Sequence, residues 1–211
     1  MAKRAAVTEK GGETRRRIVE AAAALFMERG YTATSLSDLI EAAGLTKGGF
    51  YFHFGSKSAV AVEVVRSRAE ELQAGVLAAA SEFKRASDQI VAMVRALVDA
   101  FEGKTAQGMA GLERLCAELR AEGVDDPAVV EPHARWIDIT AELFRRAQAE
   151  GDMAPERDPV LSARLAVASF VGLEEIARNQ GSPAAGVLGL DPDEYLRFVG
   201  RGLDLRVSAL D

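Results

Sequence analysis

The chain has 211 residues, enough for one small and one larger domain, and its 48% hydrophobic and 27% charged content is typical of a globular protein. With a single cysteine, Cys116, the chain cannot contain an internal disulfide. Cys116 is expected to be a small buried apolar side chain, and a redox or ligand role is the alternative. No apolar run approaches the roughly 20 residues that a membrane span needs, and the N-terminus has no apolar signal segment. We therefore expect a cytoplasmic protein with no membrane partner.

Charge is distributed unevenly along the chain, although the formal net charge of −6 argues at first against a nucleic-acid partner. Residues 1–57 contain nine Lys or Arg against six Asp or Glu, a net charge of +3, which leaves −9 for residues 58–211. Phosphate contacts need a local positive patch, and an acidic body can orient the approach to DNA. The asymmetry therefore favours a DNA-binding head on an acidic body.

The first predicted helix carries one apolar stripe and ends at Gly30. The stripe consists of Ile18, Ala21, Ala22, Leu25 and Phe26. Arg15, Arg16 and Arg17 lie near the start of this helix, where the helix dipole favours acidic side chains. Contact with DNA phosphates would explain their placement, and an ordinary solvated helix face is the alternative.

Two short helices joined by a glycine turn are predicted next, within residues 34–57. Ser35 and Asp38 have the spacing of a capping box that begins a helix. The apolar residues of this helix recur at helical spacing and are Leu36, Leu39, Ile40 and Ala43. Gly44 is expected to end the helix, because glycine accepts a left-handed backbone, and Thr46 to cap the following one. This pattern predicts a helix-turn-helix.

The second short helix is too polar and too rich in glycine to be ordinary core. Its expected outer surface carries Thr46, Lys47, Gly48, Gly49, Tyr51 and His53. Each of the two adjacent glycines costs roughly 1 kcal/mol relative to alanine inside a helix. Close approach of the backbone to a phosphate or a base edge would offset that cost. The alternative is that Gly48 and Gly49 form a loop between two packed helices.

The segment from Thr46 to Phe54, Thr-Lys-Gly-Gly-Phe-Tyr-Phe-His-Phe, followed by Lys57, resembles the recognition helix of TetR-type transcriptional regulators. Gly30-Tyr31 and Thr34-Ser35 resemble the segment that joins the first two helices of those proteins. The resemblance covers residues 13–60, and many family members have alanine where Gly49 stands. It implies a three-helix DNA-binding domain at residues 1–57. The candidate DNA-binding residues are Arg15, Thr34, Ser35, Ser37, Thr46, Lys47, Gly48, Gly49, Phe50, Tyr51, His53 and Lys57.

The remaining sequence predicts helices throughout and no convincing β-strand, so the expected fold is all-α. A long helix from about Ser56 to Ala80, capped by Ser56 or Ser58, follows the head. Further helices are predicted at residues 86–102, 105–121, 133–150, 158–179 and 192–208. Proline and glycine breakers separate them. We interpret residues 58–211 as a helical ligand-binding and dimerisation domain.

The last two predicted helices each carry an apolar stripe. The stripes consist of Leu161, Leu165, Ala168, Gly172 and Ile176 in one helix and Tyr195, Leu196, Val199, Leu203 and Val207 in the other. Pairing with a second copy would form a four-helix bundle, and burial within one subunit is the alternative. A homodimer is favoured, because helix-turn-helix proteins commonly read two half-sites about 34–36 Å apart. TetR-type regulators, which this sequence resembles, dimerise through their last two helices.

Apolar and aromatic residues of the body are candidates for a small-molecule site, although the same spacing is also that of plain core. They are Phe101, Leu112, Leu115, Trp136, Ile137, Thr140, Phe144, Phe170 and Leu173. The stretch from Pro132 to Trp136, with the later segment 152–177, resembles the γ-butyrolactone autoregulator receptors within the TetR family. This resemblance implies that Trp136 lines the ligand pocket, whereas the other assignments rest on spacing alone.

Catalytic and metal-binding motifs are not evident in the sequence. His53 and His133 lie eighty residues apart without a ligand-spaced partner, and Gly200-Arg201-Gly202 lacks the third glycine of a dinucleotide site. We therefore expect no enzyme, cofactor or metal, but a repressor released from a pseudo-palindromic operator by a hydrophobic effector such as a γ-butyrolactone. Two alternatives stay open. One is a DNA-binding regulator that responds to an antibiotic-like metabolite or to no effector, and the other is a helical enzyme with an incidental basic head.

Overall fold

The computed structural model of the chain describes residues 2–101, 110–179 and 192–206, and these residues form ten helices. In chain order they are α1 Ala2–Arg29, α2 Leu36–Ala42, α3 Lys47–His53, α4 Lys57–Ser81, α5 Ala86–Phe101, α6 Ala110–Ala121, α7 Pro127–Val130, α8 Ala134–Ala149, α9 Pro159–Asn179 and α10 Pro192–Leu203. The all-α fold expected from the sequence is confirmed. Across the described ranges, no helix combines the length and the apolar character needed to cross a membrane.

The helix boundaries follow the sequence patterns closely, as at the start of α4, and they differ at two places, the short helix α7 and the end of α10. Ser56 caps α4, since its hydroxyl accepts a hydrogen bond from the Ala59 N–H at 3.0 Å. The short helix α7 was not expected; Asp126 caps it by accepting the Ala128 N–H at 3.0 Å. Helix α10 ends at Leu203, short of the expected residue 208. Residues 102–109, within which two of the predicted helices end and begin, and residues 207–208 lie outside the described part of the chain.

Contacts along the chain divide it into two compact units. The first unit contains Met1–Glu70 and Met109–Glu131, and the second contains Glu71–Gly108 and Pro132–Asp211. Helix α4 contributes residues to both units, and α6 belongs to the first although it lies in the middle of the sequence. The functional division at residue 57, between a DNA-binding and a ligand-binding domain, stays a prediction.

The core of the first unit is a single hydrophobic cluster to which α1, α2, α3, α4, α6 and α7 all contribute. Phe26 of α1 and Phe50 of α3 are fully buried in it, as is Leu119 of α6. Helix α1 packs against both α2 and α6. The two helices of the predicted helix-turn-helix are therefore fixed to a scaffold that includes a helix from much later in the sequence.

Cys116 of α6 lies in this same cluster and is buried. Burial, reinforced by the negative charge of Glu113, raises the pKa of the Cys116 thiol to about 11. A thiol with this pKa stays protonated near neutral pH, and the thiolate is the reactive form of cysteine. The structure therefore supports the role of a small buried apolar side chain over a redox role.

The second unit is organised around α8, which packs against α5 on one side and α9 on another, while α10 packs against α5. Phe144 and Ala147 of α8 are completely buried, and Val98 of α5 is nearly so. Tyr195 of α10 donates a hydrogen bond to the Ala166 carbonyl of α9 at 3.1 Å. The buried side chains of these four helices account for the compactness of this unit.

The end of α10 is fixed by a change of backbone direction at Asp204. Asp204 has a φ of +51°, in the left-handed region, and the Leu205 N–H donates to the Gly200 carbonyl at 2.8 Å. This six-to-one hydrogen bond is typical of a helix terminus. Leu205 then forms an antiparallel bridge with Met153. The helix stops at Leu203 because the following residues pair with the segment after α8.

Asp152, beside this bridge, makes several hydrogen bonds within the second unit. Its carboxylate accepts hydrogen bonds from the Arg85 guanidinium, one of them from Nε at 3.1 Å, and from the Ser87 hydroxyl at 2.8 Å. The Asp152 carbonyl accepts the Arg206 N–H at 2.7 Å. Asp152 therefore ties the start of α5 to the segments that follow α8 and α10.

Replacement of Asp152 should destabilise the second unit. In Asp152→Asn, the Arg85 guanidinium loses its charged partner, and we expect a loss of about 2 kcal/mol in the free energy of unfolding. Urea denaturation followed by circular dichroism measures the change. The matched control is Asp138→Asn at an exposed position of α8, which should stay within about 0.5 kcal/mol of wild type. Equal effects of the two substitutions would show that the hydrogen bonds of Asp152 contribute nothing to the free energy of unfolding.

The hydrogen bonds of Asp152 also make the stability loss in Asp152→Asn depend on pH. Burial alone raises the pKa of Asp152, but hydrogen bonds from Arg85 and Ser87 outweigh it and hold the pKa below its ordinary value. A depressed carboxyl pKa stabilises the fold above the unfolded-state pKa, and the contribution is lost as the pH falls through the folded-state pKa. The stability difference between wild type and Asp152→Asn should therefore be constant from pH 7 to about 5 and shrink once the pH falls below about 4.

Candidate nucleic-acid interface and effector site

The loop at residues 30–35, which joins α1 to α2, is held by side chains of α6. The Glu118 carboxylate accepts the Thr32 N–H at 2.8 Å and lies 3.3 Å from the Thr32 hydroxyl. The Arg114 guanidinium donates to the carbonyls of Phe26 at 3.0 Å and Met27 at 2.7 Å, in the last turn of α1. A Cβ at Gly30 would lie 2.8 Å from Glu118 Oε1, so the Glu118 side chain would have to shift and its contact with Thr32 would be disturbed. Gly30 also has a φ of +89°, which favours glycine.

Lys57, at the start of α4, holds the other side of the same loop. Its ammonium donates to the carbonyls of Tyr31 at 2.9 Å and Thr34 at 3.0 Å. It also lies 3.9 Å from the centre of the Tyr31 ring, within the range of a cation–π contact. The Thr34 hydroxyl donates to the Gly30 carbonyl at 2.7 Å. Long-range partners therefore hold two carbonyls of this loop, those of Tyr31 and Thr34, and one N–H group, that of Thr32.

The local signals for α2 are present as the sequence predicts. The Ser35 hydroxyl accepts the Asp38 N–H at 3.1 Å, and the Asp38 carboxylate accepts the Ser35 N–H at 2.7 Å, which completes the capping box. Hydrogen bonds from the Ser35 hydroxyl and N–H lower the pKa of the Asp38 carboxyl. At the other end Gly44 has a φ of +61°, and the Leu45 N–H donates to the Ile40 carbonyl at 3.0 Å. This is the glycine-dependent helix end that was expected.

Gly48 and Gly49 lie inside helix α3, so the alternative that they form a loop is wrong. Thr46 caps the helix by accepting the Gly49 N–H at 3.1 Å. A Cβ at Gly49 would come within 3.3 Å of the capping oxygen, whereas one at Gly48 would meet nothing within 4 Å. Packing inside the first unit therefore gives no reason for glycine at position 48. Close approach of an external surface to the backbone stays the interpretation of this residue.

The candidate DNA-binding residues fall into three groups by exposure. The exposed group consists of Ser35, Ser37, Thr46, Lys47, Gly48 and Tyr51. The half-buried group consists of Arg15, Gly49, His53 and Lys57, and the buried group of Thr34 and Phe50. The exposed group brings the start of α2 together with the start and one face of α3, which is the arrangement required of a helix-turn-helix surface.

Two of the predicted contacts are corrected by burial. Phe50 is 0% exposed and lies in the hydrophobic core, where its ring is 6.2 Å from that of Phe54. Thr34 is 1% exposed, and its hydroxyl is used inside the loop. Neither side chain is available to a nucleic acid. Both support the helix-turn-helix from within.

Arg15 and Lys57 are engaged inside the protein rather than held out for phosphates. Arg15 forms an ion pair with Glu63 at 3.0 Å, and its guanidinium lies 4.3 Å from the centre of the Phe54 ring. The Lys57 ammonium binds the loop carbonyls described above. Their main contribution in this structure is to position α1 and the loop, which replaces the phosphate-binding role expected for Lys57. Arg16 and Arg17, which follow Arg15, are exposed.

Phe52 was not among the candidates, although the structure leaves its side chain 83% exposed on α3. Its ring makes an edge-to-face contact with His53, with 5.1 Å between ring centres. The sequence did contain a signal for this exposure. Phe50 and Phe54 are four residues apart and share the core face of α3, so a residue halfway between them must point away.

The effector candidates of the second unit are mostly core side chains. Phe144 and Thr140 of α8 are buried, and Phe170 of α9 is buried with its ring 5.8 Å from Tyr195. Trp136 and Leu173 are half-buried. The side chain of Phe101 lies outside the described residues. Of this set, Trp136 combines a large aromatic surface with partial access to solvent.

Leu115 is removed from the effector candidates. It is 1% exposed and belongs to the hydrophobic cluster of the first unit, with Phe26 and Leu119. Leu112, on the same face of α6, lies in that cluster as well. Helical spacing alone did not distinguish a helix that packs with the head from one that packs with the body.

Gln73 of α4 is a feature of the second unit that sequence patterns did not indicate. The residue is 8% exposed, and its Oε1 accepts a hydrogen bond from Arg135 Nε at 2.6 Å. Its Nε2 is buried and finds no hydrogen-bond partner among the described residues. An unsatisfied buried donor of this kind costs about 1–3 kcal/mol, so a native example calls for a functional explanation. Arg135 is the neighbour of Trp136 in sequence.

In the described part of the chain, no three His, Cys, Asp or Glu side chains come together as possible metal ligands. His53 is instead in ring contact with Phe52, and His133 precedes the first residue of α8. The candidate sites are therefore an exposed helix-turn-helix surface in the first unit and, in the second, the half-buried Trp136 and the buried amide of Gln73.

Comparison with known proteins agrees with this geometry. Residues 18–64 match the family model described as bacterial regulatory proteins, tetR family. The A-factor receptor protein of Streptomyces griseus is 31% identical over 175 residues, which cover 82% of this chain and 58% of the relative. The chain thus spans less than two thirds of that relative's length.

Two solved structures are similar over most of their length. TylP, a TetR regulator from Streptomyces fradiae, has a TM-score of 0.67 at 30% identity, covering 94% of this chain and 89% of that chain. A structure described as the molecular basis for control of antibiotic production by bacterial hormones has a TM-score of 0.75 at 26% identity, covering 90% and 97%. The similarity includes both the helix-turn-helix and the helices that follow it.

Loss of the Glu118 contact should loosen the loop at residues 30–35. In Glu118→Ala the Thr32 N–H loses its carboxylate acceptor, and we expect its hydrogen exchange with solvent to accelerate about tenfold, equivalent to about 1.4 kcal/mol. Amide exchange followed by NMR or mass spectrometry measures this. Glu113→Ala, five residues earlier on another face of α6, is the matched control. Unchanged exchange at Thr32 in Glu118→Ala would contradict the role given to α6.

Proposed function

Because this chain belongs to the TetR family of bacterial regulatory proteins, we propose that it is a transcriptional repressor that a small hydrophobic effector releases from its operator. The observation that carries the proposal is the surface of α3, where Thr46 caps a helix whose exposed first turn presents Lys47 and Gly48. Family membership decides against a helical enzyme with an incidental basic head. Operator binding would place the protein in the cytoplasm.

DNA is bound by inserting α3 into the major groove. Lys47 faces base edges or phosphates. Gly48 lets the helix backbone approach the duplex, because it has no side chain and its position faces open space rather than another part of the protein. Tyr51 and Ser37 are exposed beside this face and donate to phosphates. Phosphate contacts fix the register of the protein, and base contacts read the sequence.

A homodimer places two such heads on a pseudo-palindromic operator. The apolar stripe of α9 supports this, because Leu161, Leu165 and Ile176 are exposed in the second unit. The stripe proposed for α10 needs adjustment: Tyr195, Leu196 and Leu203 are buried within the unit, and Phe198 is the exposed residue, at 79%. Leu165 and Phe198 line one open groove between α9 and α10. We propose that the same surface of a second copy covers it.

The effector binds in the second unit beside Trp136. The buried Nε2 of Gln73 supplies a donor that a carbonyl or hydroxyl oxygen of the effector satisfies, while Trp136 supplies apolar surface. A γ-butyrolactone has this combination of a polar ring and an apolar chain, and a relative named as the A-factor receptor supports a signal ligand. Because Gln73 and Lys57 lie on the same helix α4, binding at one can bias the other. The effector acts by favouring a state that fits DNA poorly.

Operator binding should depend on Lys47. Footprinting of the full-length protein on DNA upstream of its own gene identifies the operator, and fluorescence anisotropy with that duplex measures affinity. Lys47→Ala should weaken binding about tenfold or more, because one base or phosphate contact is worth about 1–3 kcal/mol. Lys84→Ala, the same change at an exposed position of the second unit, is the control and should bind as wild type. If both variants bind equally, α3 is not the DNA-binding surface.

Effector response should depend on Gln73 and Trp136, and operator affinity should not. Gln73→Met removes the unsatisfied donor at similar volume but also the acceptor of the Arg135 hydrogen bond, so the protein without effector should stay within about 1 kcal/mol of wild-type stability. A panel of γ-butyrolactones is titrated against the protein–operator complex, and quenching of Trp136, the sole tryptophan, reports binding. We expect about tenfold weaker release of Gln73→Met and a blunted response of Trp136→Ala.

Two results would distinguish a wrong effector site from a wrong class of effector. Full release of both variants by a lactone that releases wild type would move the effector site elsewhere in the body. No lactone response of wild type, together with intact operator binding, would favour the alternative of a regulator that responds to another metabolite or to none. Operator binding itself is tested independently by the Lys47 experiment.

A further inference from the structure

The exposed face of α3 carries an aromatic side chain that packing inside the protein does not explain. Phe52 is 83% exposed, whereas Phe50 on the opposite face of the helix and Phe54 just after its end are buried in the core. Tyr51 lies between the two faces, at 46% exposure. A phenylalanine placed in water gives up the free energy that its burial would contribute, about 1.5–3 kcal/mol. The residue therefore calls for an apolar contact outside the chain.

Gly48 lies on the same face of α3 as Phe52, four residues earlier. Side chains on a helix lean towards its N-terminus, so the Phe52 ring extends towards the turn that contains Gly48. That turn has no side chain at position 48, and a Cβ placed there would find no atom within 4 Å. The edge-to-face contact with His53, at 5.1 Å between ring centres, supports one orientation of the ring. This face of α3 therefore presents bare backbone at Gly48 and, one turn later, an exposed apolar ring.

The charges around this face indicate its occupant. Lys47 is exposed in the first turn of α3, and residues 1–57 carry a net charge of +3 against −9 for the rest of the chain. A positively charged surface with one apolar ring fits a major groove, which is negative overall and presents one apolar group, the C5-methyl of thymine. Phenylalanine is among the side chains that make this contact.

We propose that Phe52 is a specificity-determining residue that packs against a thymine methyl group in each half-site of the operator. The proposal rests on the proposed function and deepens it, because it gives one position of the recognition surface a base preference. Gly48 contributes by allowing the helix to come close enough for the ring to reach the floor of the groove. Lys47 and the phosphate contacts supply affinity that does not depend on this base.

The test is a cycle that combines one protein change with one DNA change. The full-length protein selects its binding duplex from a random pool, and each thymine of that duplex is then replaced by uracil, which removes only the methyl group. For wild type, the replacement at one symmetry-related position should weaken binding about fourfold per half-site, the effect of losing one buried methyl group. For Phe52→Ala the same replacement should have no effect at that position.

Phe52→Leu is the matched variant, because it keeps an apolar side chain and should retain part of the preference for thymine over uracil. Thermal melting of Phe52→Ala should match wild type, since the ring is exposed. Equal sensitivity of wild type and Phe52→Ala to every uracil would overturn the proposal, whether the ring then serves phosphate contacts or association between copies. Failure of wild type to select any duplex would instead contradict the proposed function.

Discussion

Two charged side chains hold the loop between α1 and α2, and the position of the whole helix-turn-helix depends on them. Lys57 binds the Tyr31 and Thr34 carbonyls, and Glu118 binds the Thr32 N–H. Hydrogen bonds that involve a charged group contribute about 1.5–3 kcal/mol when shielded from water and less when exposed. Their geometric effect is larger than their energy. A loop of a few residues between two helices has many conformations, and these contacts select one in which Ser35 begins α2.

Because Lys57 holds this loop, the positive charges of the head serve two purposes, internal contacts and the DNA-facing surface. Arg15 and Lys57 position α1 and the loop, so two of the nine Lys and Arg residues in the first 57 positions are engaged with other parts of the protein. Lys47, Arg16 and Arg17 are exposed. Because Arg15 and Lys57 are engaged within the protein, the shape of α3 gains importance relative to long-range attraction. A helix face with bare backbone at Gly48 is suited to close contact, where short-range terms decide specificity.

The sequence predicted those features that neighbouring residues determine. The capping box of Ser35 and Asp38, the helix end at Gly44 and the cap at Thr46 each depend on residues within five positions, so they could be found by spacing. The contacts of Lys57 with Tyr31 and of Glu118 with Thr32 join residues 26 and 86 positions apart. Helical periodicity shows that a face is buried but not against which helix, and this is why Leu115 was assigned to the wrong unit and the α10 stripe to the dimer.

The places where the chain leaves a free-energy cost uncompensated coincide with the surfaces proposed for its partners. Gly48 lowers helix stability by about 1 kcal/mol relative to alanine, and the buried Gln73 Nε2 costs about 1–3 kcal/mol. Phe52 and Phe198 expose apolar rings. Against a typical total stability of about 5–15 kcal/mol, such costs are substantial for a protein that gains nothing from them. We propose that each is relieved by a different occupant: DNA at Gly48 and Phe52, an effector at Gln73, a second copy at Phe198. A ligand that relieves a cost in one state alone shifts the population towards that state, which is the physical requirement for a switch.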